Sequence, residues 1–129
     1  MPVEPLPYAE IPQDIVLDLP SPPSVNKSRK IDWSAQPSIR AWVKAANGLT
    51  MQAWAGGRRP KTVLDRFELI ITLSEDQNII DLDNGIKKLC DYCKYLGLIK
   101  DDSKKYMRRV TIEWGEAQYG CKVILRPVE

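Results

Sequence analysis

The spacing of apolar residues changes along the chain, and each spacing predicts an element. In residues 14–19, Ile15, Leu17 and Leu19 recur at every second position, as in a short strand with one apolar face. Pro20, Pro22 and Pro23 end it. From Ile39 the period lengthens: Ile39, Trp42, Ala46, Leu49 and Ala53 follow one another at intervals of three and four, the stripe of an amphipathic helix with Ser38 as its cap. Gly48 weakens the middle of that helix, and Gly56-Gly57 stops it. Residues 66–73 (RFELIITL) form the most strongly β-prone run and predict a central strand. A second helix is expected over 83–96, with Ile86, Leu89, Cys90, Cys93 and Leu96 toward the core and Lys87, Lys88, Asp91 and Lys94 outside that stripe. Gly97 closes it. After the acidic turn around Asp101-Asp102, strands at 109–114 and 121–126 follow, joined by a turn holding Gly115 and Gly120. The expected fold is α+β, a small mixed sheet of about four strands with two main helices.

Composition supports one domain behind a short arm. The chain has 129 residues, 43% of them hydrophobic, with a mean hydropathy of −0.34. That is enough apolar material for a core, and no run approaches the ~20 apolar residues of a membrane span. Pro2, Pro5, Pro7 and Pro12 make residues 1–13 an extended arm, leaving 14–129 as the folded unit. No basic and then apolar leader opens the sequence, so a cytoplasmic location is expected. Three cysteines, an odd number, fit a reducing compartment better than a disulfide framework. The net charge of +2 hides an asymmetry, because residues 1–26 hold four acids and no base. The remainder is therefore the basic part and suits an anionic partner.

The absence of histidine narrows the chemistry further. It excludes Ser-His-Asp triads, Cys-His nucleophiles and histidine-ligated metals, leaving carboxylates, lysine, tyrosine or metal-bound water. Asp81-Leu82-Asp83 sets two carboxylates two residues apart, which in extended backbone face one side. Lys87 follows Asp83 by one helical turn, and Asp101-Asp102 returns on the loop beyond the helix. Clustered carboxylates repel unless neutralised, and all-oxygen ligands favour magnesium, with manganese as a possible substitute. Such a site suits metal-assisted attack on a phosphate, with a lysine to balance the developing negative charge. The alternative at each acid is simple capping or a solvated turn. An EF-hand loop fails, since its terminal acid would fall near Tyr92.

Asp81-Leu82-Asp83-Asn84, followed by Lys87, Asp91, Gly97 and Asp101-Asp102-Ser103, resembles the signature of the RusA-type Holliday-junction resolvases. The resemblance extends upstream to Pro22-Pro23-Ser24-Val25-Asn26 and covers roughly residues 14–127. It implies a RusA-like homodimer: a magnesium-dependent endonuclease that cuts four-way DNA junctions with symmetric paired nicks in recombination and repair, in a bacterial or phage setting. Asp81, Asp83 and Asp102 match the family's metal-binding acids, Lys87 its catalytic lysine, and Asn84 an asparagine that supports the acids. Two positions depart from the pattern. Ile79-Ile80 stands where a basic residue or Lys-Pro is frequent, and Gly85 where a bulky apolar residue is usual.

Three basic groups are expected to contact phosphates of the junction arms: Lys27, Arg29 and Lys30; Arg58, Arg59 and Lys61; and Lys104 and Lys105 with Arg108 and Arg109 beside them. Cys90-Asp91-Tyr92-Cys93 has the spacing of a metal or redox motif but falls in a helix stripe, so its cysteines are expected in the core. Trp42 and Trp54 are expected there too, whereas Trp33 packs over the core or stacks on a base. The competing functional reading is a DNA-structure-binding protein with the same fold and no turnover.

Overall fold

The computed structural model describes residues 13–23, 37–75, 82–83 and 85–128. Its elements, in chain order, are β1 (Ile15–Pro20), α1 (Pro37–Ala53), β2 (Phe67–Ser74), α2 (Ile86–Tyr95), β3 (Met107–Gly115) and β4 (Gly120–Pro127). The architecture is a small α+β fold with a four-stranded mixed sheet in the order β1-β4-β2-β3 and two helices. Among the described residues, no helix is long and apolar enough to cross a membrane.

Alternation decides which way each strand faces. Phe67, Leu69, Ile71 and Leu73 of β2 are all buried. In register with them stand Val123 and Leu125 of β4, and beyond these Leu17 and Ile15 of β1. Both helices cover this face: Trp42 and Ala46 from α1 and Leu89, Cys90 and Cys93 from α2 join the same apolar cluster. Tyr92 ties the helices together, with its ring edge-on to Trp42 at 5.1 Å and its hydroxyl donating to Asn47 Oδ1 at 2.7 Å. The opposite face is polar at its margins, where Asp14 and Arg126 pair at 3.1 Å and Glu68 meets Arg109 at 3.8 Å.

β2, α2 and β3 form a crossover unit: β3 runs parallel to β2, which only a connection long enough to hold a helix permits. This corrects the pairing suggested by the turn at Gly115 and Gly120. β3 and β4 are not neighbours; β2 lies between them and pairs antiparallel with β4. Two boundaries also move. α1 begins at Pro37, before the expected cap Ser38, because proline needs no backbone donor in a first turn. Within α1, Leu49 is half-buried and Ala53 exposed, so the apolar stripe fades toward the C-terminus. α2 begins at Ile86 and not at Asp83, since residues 82 and 83 form a turn that packs Leu82 against the core.

Candidate active site

The approach to α2 is built around Gly85. Asp83 O accepts the Ile86 N–H at 3.4 Å, and no side chain caps the helix. Gly85 is buried, and a β-carbon there would collide with the ring of Pro22. The departure at Gly85 thus has a local cause: Pro22 sits where a larger side chain would be. It also joins two segments that carry the resemblance, since Pro22 opens the upstream Pro-Pro-Ser-Val-Asn run and Gly85 follows Asp81-Leu-Asp-Asn84.

One turn into α2, Lys87 meets carboxylates from two directions. Its Nζ lies 3.1 Å from Asp91 Oδ1, the i,i+4 neighbour, and 3.4 Å from Asp102 Oδ2 on the loop before β3. Lys94 approaches the same loop from the end of the helix, 3.4 Å from Asp102 Oδ1, 3.6 Å from Asp101 and 3.7 Å from Asp91. Two ammonium groups thus share three carboxylates. Asp102 is the most enclosed member, its side chain only 16% exposed, whereas Lys87 is 66% exposed and open to a ligand from solvent. The hydrogen bond to Asp91 raises the Lys87 pKa against the lowering effect of burial, aided by the charges of Asp91 and Asp102. At Lys94 burial works downward and is outweighed by the hydrogen bond and charge of Asp102. The backbone N–H of Asp102 holds the Asp101 carboxyl below its ordinary range.

Of the residues expected at the metal site, Asp83 and Asp102 are described, and Asp81 lies outside the described residues together with Asn84. The extended backbone expected at 81–83 is replaced at Leu82 and Asp83 by a turn, with Asp83 exposed. Among the described residues no three acids or thiols are grouped to hold a metal ion. The structure therefore brings Lys87 and Asp102 together, and adds Asp91, Lys94 and Asp101. The spacing 87–91–94 was a visible signal for the helical part of that network.

Of the basic groups, Lys27, Arg29 and Lys30 lie outside the described residues, as does Trp33. Arg58 and Lys61 are exposed. Arg59 has a structural role: its Nη2 donates to Leu96 O at 2.8 Å at the end of α2, and its guanidinium lies 4.8 Å from the Trp54 ring centre. Lys105 rests 5.3 Å over Tyr106, and the Lys104 carbonyl accepts from Arg108 at 2.6 Å. Arg108 and Arg109 line a polar cavity of about 370 Å³ with Arg66, Glu68 and Val128. Sequence reasoning did not single out Arg66, which precedes β2 and joins the other two only through the parallel pairing.

The CxxC cysteines are core thiols. Cys90, Cys93 and Cys121 are all reduced and buried, and burial pushes Cys90 up to about 11 and Cys121 up to about 12. They are neither nucleophiles nor ready metal ligands at neutral pH.

Chemically, the open Lys87 ammonium presents fixed positive charge beside an enclosed carboxylate, an arrangement suited to an anionic substrate and a hard cation. Asp83 and Asp102 carry carboxylate oxygens, the ligand type that magnesium takes, and no contact links the two side chains among the described residues. Both Asp102 oxygens accept a hydrogen bond, Oδ2 from Lys87 and Oδ1 from Lys94, each at 3.4 Å. No protein-family model matches the chain, and no curated protein matches it.

Proposed function

We propose that the chain is a magnesium-dependent, structure-selective endodeoxyribonuclease of RusA type, a homodimer that resolves four-way DNA junctions by symmetric paired nicks. The observation that carries this reading is the meeting of Lys87 and Asp102, 15 residues apart, at 3.4 Å. These are two of the positions that the resemblance assigns to chemistry. The seating of Pro22 on Gly85 supports it, because it brings the first residue of the upstream run against the residue that follows Asn84.

In this mechanism Asp81, Asp83 and Asp102 would hold a magnesium ion, which would supply an acidified water and charge to stabilise the leaving oxygen. Lys87, kept cationic by Asp91 and Asp102, balances charge on the phosphoryl oxygens as the transition state forms. Lys94 positions Asp101 and Asp102 by spanning both carboxylates. Arg58, Lys61, Lys104 and the basic loop of Lys27, Arg29 and Lys30 contact backbone phosphates and set the salt dependence of binding. A two-fold dimer suits a junction with equivalent strands, since each site cuts one of them.

The lysine–carboxylate network is also what a purely structural surface would carry, and this favours the non-catalytic DNA-structure-binding protein as the rival. Mixing purified protein with a synthetic four-way junction separates the two. Nicked duplexes that ligase can reseal, formed on adding magnesium and lost in Asp102→Asn, are the expected result. A junction that is bound but stays intact with magnesium or manganese assigns the chain to the rival.

A further inference from the structure

The sheet has two edges, and they are finished differently. β1 has six residues, ends on Pro20 and is followed by Pro22 and Pro23, residues that blunt an edge against further pairing. β3 has nine residues with no proline, and among the described residues no strand pairs with its outer side. A long free edge offers a row of backbone donors and acceptors to another strand.

The side chains of β3 add a second asymmetry. On the helix-covered face, Leu69, Ile71 and Leu73 of β2 are at most 1% exposed, yet their register partners Val110 and Trp114 are each 37% exposed, with half-buried Ile112 between them. The apolar layer thus runs past the helices and stops in solvent. On the other face, Arg109 and Glu113 flank Thr111 at equal distances along the strand. Arg109 is 72% exposed, and its ion pair among the described residues is with Glu68, at 3.8 Å.

We infer that β3 pairs antiparallel with β3 of a second copy of this chain, about a two-fold axis at Thr111. In that register Arg109 stands opposite Glu113 of the partner subunit, twice by symmetry, and Val110 stands opposite Ile112 of the partner subunit. Opposite charges and apolar groups set directly across a strand pair each favour association. Moving the axis to Val110 or Ile112 places Thr111 across from a charge and loses both Arg–Glu pairs, so the charges select the register. The result is one continuous eight-stranded sheet. The inference rests on the homodimer of the proposed function and supplies its seam; it needs none of the nuclease chemistry.

Charge exchange tests it. Arg109→Glu and Glu113→Arg, made singly and together, are compared with the unmodified chain by sedimentation equilibrium after circular dichroism has shown native folding. Each single variant is expected to weaken dimerisation about tenfold or more, and the double variant to return within about threefold of the original. A dimer that both single variants leave unchanged overturns the seam while keeping the homodimer. A chain that is monomeric at micromolar concentration overturns both.

Cross-linking gives an independent reading. Because the three native cysteines are buried, Thr111→Cys should give a disulfide-linked dimer on mild oxidation. Val16→Cys on β1, where the side chain is 47% exposed, should stay monomeric on a denaturing gel. Linkage at Val16 and not at Thr111 assigns the interface to the other edge and overturns the inference.

Discussion

Along α2, Leu89, Cys90, Tyr92 and Cys93 turn toward the sheet and are buried, while Lys87, Asp91 and Lys94 turn outward to Asp101 and Asp102. The inner face excludes water, so its contribution scales with apolar area and with the fit of each side chain. The outer face keeps Lys87 66% and Asp91 45% exposed, a setting in which an ion pair adds only ~0–1 kcal/mol. Five charged groups in one network are therefore a weak device for stability. The inner face therefore holds the helix in place, and the outer face is the one to which the proposed chemistry is assigned.

The largest expected effect is on the inner face. Leu89→Ala should lower the unfolding free energy by about 2–5 kcal/mol in urea titrations, while cleavage per folded molecule is unchanged. Next comes Lys87→Ala on the outer face. It should slow single-turnover cleavage on the order of 100-fold, about 2.7 kcal/mol of barrier, and shift stability by less than about 1 kcal/mol. An unchanged cleavage rate would make the outer face as structural as the inner one and erase the contrast.

Tyr92→Phe sharpens the comparison by removing only a hydroxyl, which donates to Asn47 and lies 3.2 Å from Thr50 Oγ1. A loss of about 1–3 kcal/mol is expected, because the buried Thr50 hydroxyl loses a partner; thermal unfolding measures it. An alkaline effect follows from the buried thiols. Cys90 is raised from 9.0 to about 11, so the folded chain keeps a proton that the unfolded chain releases. Stability should be complete below pH 9 and fall as pH rises through 11 toward 12, since Cys121, raised to about 12, acts with Cys90, and the raised Lys87 acts in the same direction above 10.5. Urea unfolding at several alkaline pH values checks this. A Cys90→Ala variant with an undiminished slope would remove the thiol from the account.

Much of the fold could be read from local pattern. Ile15, Leu17 and Leu19 mark β1, the run from Phe67 to Leu73 marks β2, and the stripe from Leu89 to Cys93 marks α2, because burial of one face imposes a period that the sequence carries. Strand order was not readable from adjacency, since consecutive strands are usually neighbours and β3 and β4 are not. The missed signal lies in the two strands themselves. β4 is buried at Cys121, Val123 and Leu125 and half-buried at Lys122 and Ile124, as befits an inner strand, whereas most of β3 is exposed. At the candidate site, Asp91 and Lys94 follow from helix spacing. The approach of Asp102 to Lys87 depends on how residues 96–106 fold back, which no local period encodes. The start of α2 was misplaced because Asp83 has the chemistry of a cap, while packing of Leu82 makes it part of a turn.

The place of β4 has a consequence for the birth of the molecule. On the ribosome, β1 emerges first, yet its partner in the sheet is the last of the four strands to be made. The crossover of β2, α2 and β3 can assemble while synthesis continues, but it presents Leu69 and Ile71 with no strand on the β4 side until Gly120–Pro127 arrives. Translation that halts before Gly120 leaves β1 without a partner and the β2–β3 pair with its apolar row open to chaperones and proteases. Entry of β1 into the sheet therefore waits until Gly120–Pro127 has been made.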